Sequence, residues 1–114
     1  MTNKNWHVIG LMSGTSLDGV DLVYVKFTLN QDYTFDILKK ESIIYSELWK
    51  NRLQAAFGYS GEKLTNLNAA YGSFLGELVL EFIAKNGIQK LDFVASHGHT
   101  IFHQPEKGIT VQIG

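Results

Sequence analysis

The spacing of apolar residues changes along the chain, from a period of two to steps of three and four. Segments 7–12, 22–29 and 35–45 are short and either apolar or alternating, which is typical of β-strands. From Lys63 to Asn86 the apolar residues follow helical spacing, at Leu64, Leu67, Tyr71, Phe74, Leu78 and Phe82. Strands followed by a long amphipathic helix predict an α/β fold.

The connections between these segments predict how the strands pair. The turns at Ser13–Gly19 and Asn30–Asp32 are short, so the first three strands should form an antiparallel meander. A short helix should begin at Ser46-Glu47 and be ended by Gly58. The long helix should stop at Asn86-Gly87, because this pair tolerates positive φ.

Two further strands are predicted after the helices, a short buried one at Phe93–Ser96 and a last one at Ile109–Ile113. The order β-β-β-α-α-β-β fits the ribonuclease-H-like fold used by actin-like and hexokinase-like ATPases. The chain ends at Gly114 directly after a strand, where we expect a compact domain to continue. We therefore expect residues 1–114 to be one amino-terminal subdomain that is incomplete at its carboxyl end.

Gly72 and Gly76 lie four residues apart on one side of the predicted long helix. Glycine lowers helix stability, so such a pair usually allows another backbone to approach closely. Membrane dimerisation is the alternative, but four polar side chains in the same helix argue against it. We expect close packing on the sheet.

The composition limits the classes of partner. Hydrophobic residues make up 45% and charged residues 18% of the 114 residues, as in ordinary soluble domains. The net charge of −1 gives no basis for binding nucleic acid or a membrane surface. The chain has no cysteine, which excludes disulfides and is compatible with the cytoplasm, the location that we expect. The apolar run from Trp6 to Met12 is too short to span a membrane.

The segment Gly10–Asp21 is rich in glycine and hydroxyl residues. A turn of this composition can direct several backbone N–H groups at one anion, which predicts a phosphate-binding loop. Asp18 and Asp21 would repel phosphate unless Mg²⁺ lay between them, or unless they oriented a substrate hydroxyl. The segment lacks the lysine of a Walker loop and the spacing of a dinucleotide fingerprint. An ordinary hairpin turn is the structural alternative.

Residues 11–21, LMSGTSLDGVD, closely resemble the signature of anhydro-N-acetylmuramic acid kinases. The stretches 96–105, SHGHTIFHQP, and 111–114, VQIG, resemble the same family in the same order. Family members are bacterial enzymes with a two-domain actin-like fold. They use ATP and water to open the 1,6-anhydro ring and phosphorylate O6, giving N-acetylmuramate 6-phosphate in peptidoglycan recycling.

The resemblance implies a set of ATP-phosphate contacts, at Gly14, Thr15, Ser16, Leu17, Asp18, Gly19, Val20 and Asp21. Met12 stands where the wider sugar-kinase superfamily usually has an aspartate, so Asp18 is the expected Mg²⁺ ligand. His99 stands where the family usually has glutamine. No catalytic residue is expected in these 114 residues. The catalytic base and adenosine pocket should lie beyond them, so the segment alone should be inactive.

His97, His99 and His103 form a cluster within seven residues. A strand would place positions 97 and 99 on one face, so a metal site is geometrically allowed, but too few ligands surround it. We expect His97 and Thr100 to bind the sugar substrate instead. The alternative functions are a metal-dependent hydrolase built on this cluster and a non-catalytic nucleotide-binding module. The sequence leaves a homodimer open.

Overall fold

The computed structural model describes residues 4–13 and 17–114. It contains six strands, β1 to β6, which are Lys4–Met12, Gly19–Leu29, Tyr33–Ile44, Phe93–Ser96, His99–Gln104 and Ile109–Ile113. Two α-helices, α1 and α2, are Glu47–Ala55 and Gly61–Asn86. Single 3₁₀ turns follow α1 at Ala56–Gly58 and precede β6 at Pro105–Lys107.

Four of the strands form one mixed sheet in the order β3-β2-β1-β4. The meander is confirmed, because β1 pairs antiparallel with β2 and β2 pairs antiparallel with β3. The two helices then return the chain to the other edge of β1, where β4 pairs parallel with it from Val8↔Phe93 to Leu11↔Ser96. The chain therefore has the predicted α/β architecture with a helical crossover.

Strands β5 and β6 form a separate antiparallel hairpin. The hairpin is tied to the end of the main sheet, because the backbone N–H of His97 donates to Leu11 O at 3.0 Å. At its other end, Gly114 N–H donates to Asn68 Oδ1 of α2 at 2.7 Å. The histidine segment is thus held beside the carboxyl end of β1.

The core lies between α2 and one face of the main sheet. Ile9, Leu11 and Leu22 alternate onto this face and pack with buried residues of the helix, which are Leu67, Tyr71, Leu75, Leu78 and Phe82. Each fully buried aliphatic or aromatic side chain stabilises the fold by about 1.5–3 kcal/mol. Within the described residues, neither helix has a stretch long and apolar enough to cross a membrane.

The prediction that β4 is buried is wrong. All four of its residues are exposed, with Phe93 at 52%. The strand lies at the edge of the sheet, and among the described residues the buried side of α2 packs against β1 and β2. An apolar run therefore identified the strand but not its environment.

The expected close packing at Gly72 and Gly76 is also wrong. A Cβ added to Gly72 would meet only Gly114 C at 3.9 Å, an ordinary contact. A Cβ added to Gly76 would meet nothing within 4 Å. No described backbone approaches this side of α2 closely enough to require glycine.

Candidate functional site

The predicted phosphate loop connects β1 to β2, and only its ends are described. Positions 14–16 lie outside the described residues. Ser13 ends the first limb and is 2% exposed. The second limb begins with Leu17, whose φ of 60° is left-handed and unusual for a residue with a side chain. The residue before the loop is therefore a buried serine, and the residue after it has a constrained backbone conformation.

Gly19 occupies a position that has no room for a side chain. A Cβ there would lie 1.9 Å from Ile43 O and 2.8 Å from Ile43 C, which belong to the backbone of β3. Val20, the next residue, is buried in the core. The structure thus gives both residues a packing role, separate from the phosphate contact that the resemblance implies.

Asp18 and Asp21 lie on the walls of one open cleft of about 380 Å³, together with Met12 and Ser42. Both carboxylates are exposed. Ser42 Oγ donates to Asp21 Oδ1 at 2.6 Å, which fixes that carboxylate while leaving it further acceptor capacity. Two carboxylates beside a phosphate-type turn are the oxygen ligands that Mg²⁺ prefers.

A second cleft, of about 420 Å³, is lined by Asp21, Met12, Ser96 and His97 among others. It lies where the parallel strands β1 and β4 reach their carboxyl ends. In open α/β sheets this is the edge at which ligands bind. The sequence-predicted Asp21 and His97 are therefore brought to one cavity although 76 positions separate them (97 − 21).

His97 and Thr100 are connected through Gln112, which the sequence reasoning missed. The amide nitrogen Nε2 of Gln112 donates to Thr100 Oγ1 at 3.3 Å and lies 3.5 Å from His97 Nε2. Pairing of Thr100 with Gln112 across the β5–β6 hairpin creates this group. The motif at residues 111–114 marks this strand in the sequence, but the contact of the Gln112 amide with Thr100 depends on the register of the hairpin.

The three histidines do not form the cluster that a strand would have made. Gly98 has a φ of 75°, so His97 is exposed whereas His99 is 2% exposed. The imidazole of His99 lies edge-on to the rings of Tyr45 and Tyr71, with centroids 6.3 and 6.1 Å away. The expectation that positions 97 and 99 share a face is wrong, because β5 begins only at His99.

His103, the third histidine, is paired with Thr110, whose Oγ1 lies 2.6 Å from its Nδ1. In the part of the chain that the structure describes, no three His, Cys, Asp or Glu side chains are placed to hold a metal ion together. The arrangement therefore gives no support to a hydrolase built on these histidines.

Burial changes the proton affinity of the groups around His99. Burial lowers the pKa of the His99 imidazole below its ordinary value of 6.5. Burial also raises the pKa of the Tyr45 and Tyr71 phenols above their ordinary value of 10.0. At neutral pH all three groups are uncharged, so this buried cluster can serve only by hydrogen bonding and packing.

Three buried hydroxyl groups continue from this cluster to the phosphate loop. Tyr45 Oη lies 2.5 Å from Tyr71 Oη, which donates to Ser13 Oγ at 2.9 Å. Ser13 Oγ in turn donates to Gly98 O at 2.8 Å. The chain of hydroxyls thus joins the loop to the turn that carries His97. None of these three side chains was among the predicted site residues.

The anhydro-N-acetylmuramic acid kinase family model matches residues 6–114 of this chain. Three curated proteins of that name are similar to it. The one from Pseudoalteromonas translucida is 36% identical over 105 residues, which cover 87% of this chain and 26% of that protein. The one from Shewanella sediminis is 38% identical over 118 residues, covering 98% of this chain and 31% of that protein. The one from Caldanaerobacter subterraneus is 36% identical over 104 residues, which cover 86% of this chain and 26% of that protein.

The chain spans less than a third of the length of these relatives. The match nevertheless covers nearly all of this chain, including both limbs of the glycine-rich loop and the turn at His97–His99, called the histidine turn below. The chain therefore belongs to the anhydro-N-acetylmuramic acid kinase family.

Proposed function

We propose that this chain supplies the phosphate-binding and part of the sugar-binding surface of an ATP-dependent kinase. The substrate is 1,6-anhydro-N-acetylmuramic acid. Water opens the anhydro ring, the γ-phosphoryl group of ATP is transferred to O6, and ADP and N-acetylmuramate 6-phosphate leave. The names of the curated relatives and the motifs at residues 11–21 and 96–105 support this reaction.

One observation carries the proposal for this chain's own residues. Asp21 lines both the cleft that Asp18 lines and the cleft that His97 lines. A phosphate donor held at the loop and a sugar held at the histidine turn would therefore meet at Asp21. Phosphoryl transfer depends chiefly on such positioning and on electrostatic stabilisation.

The residues present fit a bound Mg²⁺ ion. Asp18 is exposed at the loop exit, and Asp21 keeps free acceptor capacity beside it. We propose that Asp18 holds the ion, which when bound would neutralise charge on the phosphates. Backbone groups from Gly14 to Asp21 would bind the phosphates themselves.

The sugar side is formed by hydrogen-bonding side chains. His97, Thr100 and the connecting Gln112 offer donors and acceptors suited to sugar hydroxyl and amide groups. Thr100 is only partly exposed, and its hydroxyl accepts a hydrogen bond from Gln112. The orientation of this hydroxyl is therefore defined before the substrate arrives. We propose that these side chains orient the substrate rather than react with it.

The sheet order supports the finer fold assignment. An antiparallel β3-β2-β1 meander with a helical crossover to a parallel β4 fits the core of the ribonuclease-H-like fold. We propose that residues 1–114 are the amino-terminal subdomain of such an actin-like ATPase. The phosphate loop between β1 and β2 is then the hairpin that faces the nucleotide.

The substitution Asp18→Asn tests the proposal in the full-length gene product. ADP release is measured with MgATP and the 1,6-anhydro sugar. Removing the charge should lower kcat at least about tenfold, which corresponds to about 1.4 kcal/mol of transition-state stabilisation, with a much smaller change in sugar KM. The matched control is Asp36→Asn, an exposed carboxylate in β3 outside the cleft.

Two results would reject the proposal. Absence of sugar-dependent ADP release in the parent protein would reject the reaction. A large rise in sugar KM at unchanged kcat in Asp18→Asn would reject the role given to Asp18. The control variant should keep parental kinetics, so loss of activity there would point to a general effect of charge removal.

A further inference from the structure

We propose that Tyr71 and Tyr45 are positioning residues for the two ends of the phosphate loop. A buried chain of hydroxyl groups holds the first end, and the backbone N–H of Tyr45 holds the second. The inference rests on the proposed function only in taking the ligand of the loop to be a nucleotide phosphate. Neither tyrosine lines the cleft of Asp18 and Asp21 or the cleft of Asp21 and His97. Both would therefore act through the loop and not on the reacting atoms.

The first end of the loop is held through the side chain of Ser13. Its hydroxyl accepts from Tyr71 at 2.9 Å and donates to Gly98 O at 2.8 Å. Ser13 is 2% exposed, so water does not compete for these bonds. Tyr71 itself is fully buried in the middle of α2, which makes the anchor part of the core.

The second end is held through the backbone of Tyr45. Its N–H donates to Asp18 O at 3.0 Å, while its phenol lies 2.5 Å from the phenol of Tyr71. Tyr45 therefore bonds the loop exit with its main chain and reaches the loop entry through Tyr71. The two limbs of the loop are therefore attached to the same buried pair of tyrosines, Tyr45 and Tyr71.

The direction of donation along the chain follows from its last acceptor. Gly98 O has no hydrogen, so Ser13 must donate to it, and its single hydroxyl hydrogen is then used. Tyr71 must therefore donate to Ser13, and Tyr45 must donate to Tyr71. The raised pKa of both phenols keeps their hydrogens in place.

This order makes the two tyrosines unequal. In Tyr45→Phe, Tyr71 loses an incoming bond but still donates to Ser13. In Tyr71→Phe, the buried Tyr45 hydroxyl loses its acceptor and Ser13 loses its donor. An unsatisfied buried donor is costlier than an unused lone pair. We therefore expect the loop to be loosened more by Tyr71→Phe than by Tyr45→Phe.

The chain also connects the loop to the sugar side. Its last acceptor, Gly98, lies between His97 and the buried His99. A side chain at Gly98 would meet Ile113 O at 2.7 Å, so this turn is fixed against β6 as well. Removing the Tyr71 hydroxyl should therefore increase the local opening of residues 97–99 together with that of residues 13–19.

The first test is amide hydrogen exchange of the full-length gene product without ligand. Tyr71→Phe should speed exchange in peptides covering 13–19 and 97–99 by up to about tenfold, with a smaller effect for Tyr45→Phe. Peptides from the rest of α2 should keep parental rates, which a general loss of stability would not allow. The matched control is Tyr33→Phe, because Tyr33 is exposed at the start of β3.

The second test is the dissociation constant of MgADP. Tyr71→Phe should raise it about three- to tenfold, and adding Ser13→Ala should raise it no further, because both changes break one chain. Unchanged exchange at 13–19 in Tyr71→Phe, or additive effects of the two substitutions, would overturn the inference. If Tyr71→Phe does not fold, Ser13→Ala and Tyr45→Phe give the same readouts. A parent protein that binds no nucleotide would reject the proposed function, while exchange would still decide the anchoring role.

Discussion

At the scale of single residues, Gly19 shows that a motif position can be fixed by packing alone. The resemblance implies that Gly19 contacts ATP phosphates, and the small size of glycine suits that role. The structure supplies a separate reason, because β3 leaves no space for a Cβ beside Ile43 O. Loss of activity after substitution would therefore not distinguish the two roles, whereas loss of folding would.

We expect Gly19→Ala to lower the free energy of unfolding by at least about 1–3 kcal/mol, the usual cost of overpacking, because backbone rather than a flexible side chain opposes the new methyl. Urea unfolding of the full-length gene product measures this. Gly76→Ala is the matched control, since it adds the same methyl to open space in α2. It should stabilise the protein by about 0.5–1 kcal/mol. Equal stability of Gly19→Ala and the parent would contradict the geometry.

His99 should make stability depend on pH. Because burial lowers its pKa in the folded state, the unfolded chain takes up this proton at a higher pH than the folded chain. The stability contributed by neutral His99 is therefore complete above pH 6.5 and is lost as the pH falls through the lower folded value.

The test is to measure the Tm of the parent and of His99→Gln from above pH 6.5 down to acid pH. His99→Gln should show a weaker fall in Tm on the acid side, because glutamine does not titrate. His103→Gln removes an exposed imidazole and serves as the control. An identical acid limb in the parent and His99→Gln would show that His99 is not the group responsible.

The predicted site residues were those whose chemistry is readable without coordinates. Asp18 and Asp21 stand in a local motif, so the sequence placed them beside the loop, and the structure brings them to one cleft. The spacing predicts Tyr45 as part of a strand and Tyr71 as part of an apolar helix stripe, because tyrosine fits both patterns. Their hydroxyls meet only after the crossover packs α2 on the sheet. Gln112 likewise depends on hairpin register.

At the scale of elements, types were easier to predict than boundaries and burial. The long helix was expected from Lys63 but begins at Gly61, because Ser60 caps it by accepting from Lys63 N–H at 3.2 Å. Its predicted end at Asn86-Gly87 is confirmed, with Gly87 at a φ of 61°. Strand β4 was predicted at its observed position but with the wrong burial, because composition predicts a strand but not which of its faces are covered.

The cap of α2 can be tested directly. Ser60→Ala should lower the free energy of unfolding by about 1 kcal/mol, because the first-turn amide of Lys63 loses its acceptor. Ser60→Asp should retain most of the stability, since aspartate also caps well and its charge suits a helix amino terminus. Urea unfolding followed by circular dichroism compares the three proteins. An Ala variant as stable as the parent would show that the helix does not depend on this cap.

At the scale of the whole molecule, the two faces of the main sheet differ. On one face α2 covers β1 and β2, whereas the other face carries a groove of about 320 Å³ lined by Trp6, Phe27, Tyr33 and Phe93. Phe35, two residues after Tyr33 on β3, is 63% exposed. In the described residues this is a contiguous aromatic surface, and surfaces of that kind favour association.

We expect this surface to bind a hydrophobic dye such as anilinonaphthalene sulfonate, and Phe35→Thr with Phe93→Thr to reduce the bound fluorescence. Tm should change little, because both side chains are more than half exposed. Leu80→Thr removes a similarly exposed apolar side chain from α2 and should leave dye binding unchanged. Dye binding that is the same in the aromatic double variant as in the parent would place the apolar surface elsewhere.

Tyr45 bonds the loop in two chemically different ways, and this limits what a library of substitutions can reveal. The bond to Asp18 O comes from a peptide N–H, which every amino acid except proline provides. The bond to Tyr71 needs a hydroxyl at the end of an aromatic ring. A saturation library at position 45 would thus score phenylalanine as mild and proline as severe, and would attribute both to one contact. Replacing the amide at position 45 by an ester would separate them, because it removes the N–H and leaves the phenol in place.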